Sequence, residues 1–454
     1  MRKVFFAALA IFSFSSPVFA DAPVVPARVT GVYTCTVNRY VDAVNGSDTN
    51  DGTGPDSAHA WATITKAKNV MTGYGNGGVC VNVAPGVYNN SYIYMQDQGG
   101  SADTPTGYLV FRSSVPKAAK ITIPAGQFGN HIITAGQGTR YVIFDGFDVY
   151  ASNAASITGA AAFAFGTSTD YTHHVKFLNM HVHDVGGQGI AGSSYVDYLD
   201  FRGNLVHDCA GYRTPQTSCM TIFAPVNSDG TTAVHNNVSG NVVYQSLNRQ
   251  SGNHTEGTGF AADTFDSLGV YTAQTIIENN VVFHNGGVCM YAYKSRNVTL
   301  RFNTCYKTGL DTTLTALAHG ELELVQANNC TVANNIVVMQ DGPQTNDWGL
   351  DDDPQGQGET GNVWAYNIVW GATYDGATAQ KTQLTRVTSG GADPAAGAGN
   401  LIGVNPKLVQ GGIGYLYPGP GSPAKNAGTT AYGVPAADAA GVARGASPSI
   451  GALQ

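Results

Sequence analysis

Charge is what this chain has least of. Only 12% of its 454 residues are Asp, Glu, Lys or Arg, and 31 acidic groups against 23 basic ones leave a net charge of −8. So thin a charge density does not suit long solvated helices, and without a basic surplus neither nucleic acid nor an anionic membrane is expected as a partner. Beyond the first twenty residues no apolar run is long enough to cross a bilayer. Phosphate-cradling glycine loops, GxSxG elbows and Cys-x-x-Cys pairs are also absent, so nucleotide, serine-hydrolase and zinc readings lack their signatures.

What is present begins with "MRKVFFAALAIFSFSSPVFADAP". Arg2 and Lys3 precede an apolar run, and small residues end it, which reads as a secretory signal cleaved near Ala20. The expected mature protein starts near Asp21 and is secreted or periplasmic. Seven cysteines in an exported chain suggest disulfides. Cys35 with Cys80 and Cys209 with Cys219 are the expected pairs, and the odd count leaves at least one thiol outside a disulfide.

The 57 glycines punctuate short β-prone runs, and one motif recurs. An apolar triplet, an asparagine and a second apolar triplet are centred on Asn179, Asn204, Asn241, Asn280, Asn303, Asn335 and Asn367. The spacings are 25, 37, 39, 23, 32 and 32 residues, so constant strands are joined by unequal loops. Strand-rich repeats of this length cannot bury a face alone and must stack. An asparagine at one bend tolerates left-handed backbone, and its amide can bond the asparagine one coil above.

This ladder resembles the right-handed parallel β-helix of the pectate lyase-like superfamily. "YVDAVNGSDTNDGTGPDSAHAWATITKA" followed by "VNVAPGVYN" is similar to the entry segment of secreted β-helix proteins, and "GSPAKNAG" followed by "DAAGVARGASPSIGA" to their closing segment. The expected fold is all-β, a single solenoid domain: signal 1–20, linker and cap 21–104 with a short helix at 62–70, coils 105–371, and a loop-rich closing segment 372–454 over the last coil.

Each coil's first strand precedes its asparagine unit. Aligning these strands on Ile190, Ile222, Phe260, Met290, Leu322 and Leu350 as inward residues turns a set of alternate neighbours outward. That set is Thr221, Phe223, Asp263, Tyr291, Tyr293, Glu321, Glu323, Asp351 and Asp353, with Lys294 at a strand end. Stacked carboxylates repel, so the strip needs a cation or proton partner.

The resemblance implies polysaccharide chemistry. In pectate-type lyases Ca²⁺ neutralises the uronate carboxylate and a Lys or Arg removes the C5 proton. Here that implies Asp263, Glu321, Glu323 and Asp351 as metal ligands and Lys294 as base. Tyr291, Glu321 and Asp263 complete the catalytic set, and Tyr293, His254, Glu256 and Arg296 are expected to touch an acidic polysaccharide. No aspartate-doublet ligand motif stands near Asp263, which departs from the pectate lyase pattern. A glycoside hydrolase using two of the carboxylates, and a glycan-binding solenoid without catalysis, are the alternatives. The protein is expected to act as a monomer. His173, His174, His181, His183 and His207 flank the asparagine bends and read as exposed turn histidines, no carboxylate completing a metal set. Tyr244, Phe283, Tyr306 and Trp370, with His207, fall three residues after their asparagine and read as flank stacking. "GSDTNDG" at 46–52 reads as tight-turn chemistry.

Overall fold

The computed structural model describes residues 26–89, 93–123, 131–151, 159–212, 217–247, 256–311, 320–340, 348–356, 358, 360–371, 384–410 and 416–454. The signal segment lies outside them. Among the described residues three long parallel sheets hold ten, eleven and eleven strands, with every strand paired to its counterpart one coil away. One coil runs Met290–Tyr293 in the first sheet, Val298–Arg301 in the second and Thr304–Tyr306 in the third. The next repeats the order with Gly320–Val325, Thr331–Ala333 and Ile336–Met339. The chain is a right-handed parallel β-helix, as parallel crossovers of this kind require.

Strand alternation explains the core. Inward residues stack in files along the axis, as in Phe111, Phe144, Phe177 and Phe201 of the second sheet, whose ring centroids are 5.8, 5.5 and 5.7 Å apart. At the N-terminal end the helix Ile64–Val70 closes the solenoid with Ile64 and Ala67 buried, and the Thr63 hydroxyl caps it by accepting from Lys66 N. Trp61 packs beneath the 46–52 turn, and Gly52, at φ +73°, leaves no room there for a side chain.

The asparagine ladder is real, but it leaves out Asn179 at one end and extends to Asn400 at the other. Amide-to-amide bonds run Asn204–Asn241–Asn280–Asn303–Asn335–Asn367–Asn400, each 2.9–3.1 Å. Asn303 shows the full set. Its Oδ1 accepts from the backbone N and the Nδ2 of Asn280, and its Nδ2 donates to Ile277 O and to Asn335 Oδ1. Asn179 is one residue out of register: Met180 N meets Asn204 Oδ1, and Asn179 bonds Val29 and Asp145 instead. The left-handed backbone also belongs elsewhere. It falls on the residue before each ladder asparagine, namely Gly203, Gly240, Asn279, Phe302, Asn334, Tyr366 and Gly399. The asparagine is selected for its amide and its predecessor takes the bend.

Coiling starts earlier and ends later than the sequence suggested. Val79–Val83, Gly86–Asn89 and Ile93–Met95 already belong to the three sheets, and Thr385–Val387 and Leu401–Ile402 extend the first and third. The closing segment does not cover the last coil alone. Leu416, Ala439, Ala452 and Leu453 pack on Leu205, Val242, Val281 and Phe283, while Ala424 and Ile450 pack on Ile336, Val338 and Ile368. It therefore lies along the outer face of the third sheet.

Disulfides join Cys35 to Cys80 and Cys209 to Cys219, and a third, Cys289 to Cys305, ties the first and third sheets within one coil. Cys330 is the buried cysteine outside them. Among the described residues no helix is long and apolar enough to cross a membrane.

Replacing Asn303 with Ala strands the Asn280 donors where water does not reach and removes the side-chain bonds to Ile277 O and Asn335 Oδ1, which keeps only the bond from the backbone N of residue 303. A loss of roughly 3–5 kcal/mol is expected. Chemical denaturation checks it, with Asn400→Ala, at the ladder's end and half-buried, losing less.

Candidate active site on the first sheet

The outward face of the first sheet carries two rows. The strand register aligns Thr221, Ala261, Tyr291, Glu323, Asp351 and Arg386 in one, and Phe223, Asp263, Tyr293, Val325 and Asp353 in the other. Met220, not Ile222, is the counterpart of Phe260. That two-residue offset keeps the same face, so the outward assignments survive it.

The rows divide into an accessible end and a buried end. Phe223 is 37% exposed, Asp263 and Tyr293 are half-buried, and Lys294 is exposed. Lys294 Nζ lies 4.9 Å from the centroid of the Tyr293 ring. Burial raises the Asp263 carboxyl above its usual range, against the Thr264 hydroxyl bond and the Lys294 charge, which lower it. Tyr291 is buried, and its hydroxyl donates 3.1 Å to Glu256 Oε1, whose Oε2 accepts from Ser218 Oγ at 3.2 Å. Burial first, then the Glu256 charge, pushes the Tyr291 phenol well above 10. His254 lies outside the described residues. Arg296 is committed to Asp266, with both carboxylate oxygens 2.7–2.8 Å from its Nε.

At the other end the outward carboxylates are not solvated. Glu321, Glu323 and Asp351 are all buried. Arg386, which the sequence reading placed in the closing segment, enters from the next coil. It binds Asp351 through Nε at 2.7 Å and Nη2 at 2.6 Å, and the same Nη2 reaches Asp353 at 2.8 Å. Its guanidinium lies 4.4 Å from the Trp348 ring centroid. Thr388 Oγ1 donates to Asp353 at 2.7 Å. Alternation in "LTRVT" was the available signal for this strand. Burial raises Asp351 to about 6 in spite of Arg386, and burial then the Asp351 charge raise Glu323 well above the carboxyl range. The strip thus obtains the cation and the proton it needs from the chain itself.

The residues present do not fit the expected Ca²⁺ centre. Asp351 is bound to Arg386, and Glu321 accepts from the buried Thr308 hydroxyl. Asp263 lies two strands from Glu323 and in the other row. Among the described residues these four carboxylates form no group with converging ligand atoms.

A second feature lies on the second sheet and its flanking loops, a cavity of about 610 Å³ lined in part by Arg140, Tyr141, Asp170, His173, His174 and Tyr198. The histidines on the third sheet also differ from expectation. His181 and His183 are strand residues, and Asp148 on the neighbouring strand meets both.

No family model matches the chain, and no curated protein matches it. Solved structures do. The chain is similar to a glycoside hydrolase at 9% identity, over 81% of this chain and 96% of that one, with a TM-score of 0.54. It is similar to the GH136 lacto-N-biosidase from Eubacterium ramulus at 10% identity, over 73% of this chain and 56% of that one, with a TM-score of 0.46, so it spans little more than half of that protein. It is also similar to pectate lyase Pel9A at 15% identity, over 93% and 97% of the two chains, with a TM-score of 0.45. At such identities the likeness concerns the fold. The chain has a parallel β-helix fold.

The proton held by Glu323 and Asp351 makes stability depend on pH in a definite direction. An unfolded chain has released both by about pH 5. The folded chain binds more protons there, so this contribution is full at low pH and is lost as pH rises through about 6. Melting temperatures of wild type and Glu323→Gln between pH 5 and 8 are expected to diverge, the variant losing less on the alkaline side; parallel curves would contradict the shared burial.

Proposed function

We propose that this protein is an exported enzyme that degrades an acidic polysaccharide by β-elimination on the first sheet. The observation that carries the reading is an exposed Lys294 amine beside the Tyr293 ring, with the desolvated Asp263 in register on the next strand. The glycoside hydrolase of the same fold supports a sugar polymer as the substrate class.

A uronate laid over this row offers its C5 proton to Lys294 Nζ. The C5–H bond breaks, a C4–C5 double bond forms, and the C4–O bond to the leaving sugar breaks. The Tyr293 hydroxyl gives the leaving oxygen a proton. Burial raises the Asp263 carboxyl above its usual range, and a protonated Asp263 would donate a hydrogen bond to the substrate carboxylate and reduce the charge that opposes C5 deprotonation. Ca²⁺ has no step in this scheme. Phe223 and Tyr293 offer faces for the pyranose rings.

A hydrolase is the second reading, and one observation favours it. Asp351 and Asp353 share Arg386 Nη2 at 2.6 and 2.8 Å, which holds their oxygens no farther apart than the roughly 5–5.5 Å of retaining carboxylate pairs.

Ultraviolet absorbance of the unsaturated uronate product, followed over a panel of acidic glycans, tests the proposal. Absorbance is expected to rise equally with and without added Ca²⁺, and Lys294→Ala is expected to slow it by roughly 10²–10⁴-fold. New reducing ends without absorbance, lost in Asp351→Asn and retained in Lys294→Ala, would overturn the lyase in favour of the hydrolase.

A further inference from the structure

On the outer face of the third sheet Asp148, His181 and His183 bring three ligand atoms together, all within 4.8 Å of one another. The register that creates the group is simple. Asp148 pairs with His181 across adjacent strands, and His183, two residues on, points to the same face beside Tyr150. Asp148 Oδ1 lies 3.1 Å from His181 Nδ1 and 2.9 Å from His183 Nε2.

Hydrogen bonds around the group orient its rings. Asp184 Oδ2 lies 2.7 Å from His183 Nδ1, and Asp208 Oδ2 lies 2.6 Å from His207 Nδ1. His207 Nε2 lies 2.9 Å from His181 Nε2. Asp148, an acceptor only, can take hydrogen bonds from His181 Nδ1 and His183 Nε2 when no metal is bound. A divalent cation would displace those protons and be held by the same three atoms. Among the described residues no Lys or Arg lies within ion-pair distance of Asp148, though the Lys117 charge acts on it.

We propose that this group is a binding site for a divalent transition metal of the Zn²⁺ class, which clamps adjacent coils of the third sheet. Two imidazoles and a carboxylate are a familiar three-ligand set for Zn²⁺. With bonds of about 2.0–2.2 Å, tetrahedral ligand atoms stand roughly 3.3 Å apart, close to the spacings here. Asp184, and Asp208 through His207, supply the carboxylates that orient metal-binding histidines. His181 and His183 are half-buried, so the fourth position opens to solvent. The site is separate from the first-sheet strip, and its test does not depend on activity.

The test uses tag-free protein stripped by chelator and dialysed, titrated with ZnCl₂ by calorimetry and with CoCl₂ by visible absorption. One equivalent of Zn²⁺ per chain is expected, with the d–d bands of low-symmetry Co²⁺ and a rise in melting temperature on Zn²⁺ addition. Asp148→Asn and His183→Gln, checked by circular dichroism to be folded, are expected to lose all three responses. Absence of stoichiometric Zn²⁺ binding by the wild type, or binding undiminished in both folded variants, would overturn the proposal.

Discussion

A buried amide has four hydrogen-bonding positions, and in this protein each ladder asparagine must fill them from the coils on either side. Asn303 does so completely, through Asn280, Ile277 and Asn335. The requirement locks every coil's bend to the bend above it, which fixes the register of the strands that enter and leave. The first-sheet rows inherit their order from that lock. Asp263 stands beside Tyr293, and Glu323 beside Asp351, because the bends that follow their strands are in step.

Given fixed rows, electrostatics decides what the outward face is like. Carboxylates in adjacent coils would repel, and the chain relieves this in two ways. Arg386 spans Asp351 and Asp353, and burial favours retention of a proton at Glu323. The buried end of the strip is therefore closed upon itself, and the end that remains accessible carries Lys294, Tyr293 and Asp263. On the third sheet the same stacking brings Asp148 to His181 and His183, with no Lys or Arg within ion-pair distance of it among the described residues. A common scaffold thus yields one carboxylate group satisfied internally and another facing two imidazoles.

Much of this was legible in the sequence, for a physical reason. A two-residue period and a recurring asparagine are local signals, and they sufficed for the β-helix, the first-sheet strands and most of the ladder. Inward and outward faces survived even the two-residue offset at Ile222, because alternation is insensitive to even shifts. Two of the three disulfides were anticipated. Contacts between unlike segments were not legible. Arg386 reaches Asp351 from 35 residues away, beyond the last asparagine motif, where no repeat announced a further coil. Asp148 lies 33 residues before His181 on a strand without an asparagine motif, so the histidines looked like turn residues lacking a carboxylate. Cys289, just before a first-sheet strand, and Cys305, on a third-sheet strand, have Cα atoms 5.7 Å apart, a pairing that needs the cross-section and not only the period. The path of the closing segment depended on which apolar side chains of the third sheet were left exposed, and a repeat does not encode that.

The claim that organises this account is that the accessible end of the first sheet receives the polymer. A crystal structure of Lys294→Ala with a uronate oligosaccharide tests it most directly. The account predicts sugar rings over Phe223 and Tyr293, with a uronate carboxylate against Asp263 and its C5 turned toward position 294. Oligosaccharide bound instead in the second-sheet cavity, between Tyr141 and Tyr198, with the first sheet bare, would contradict it.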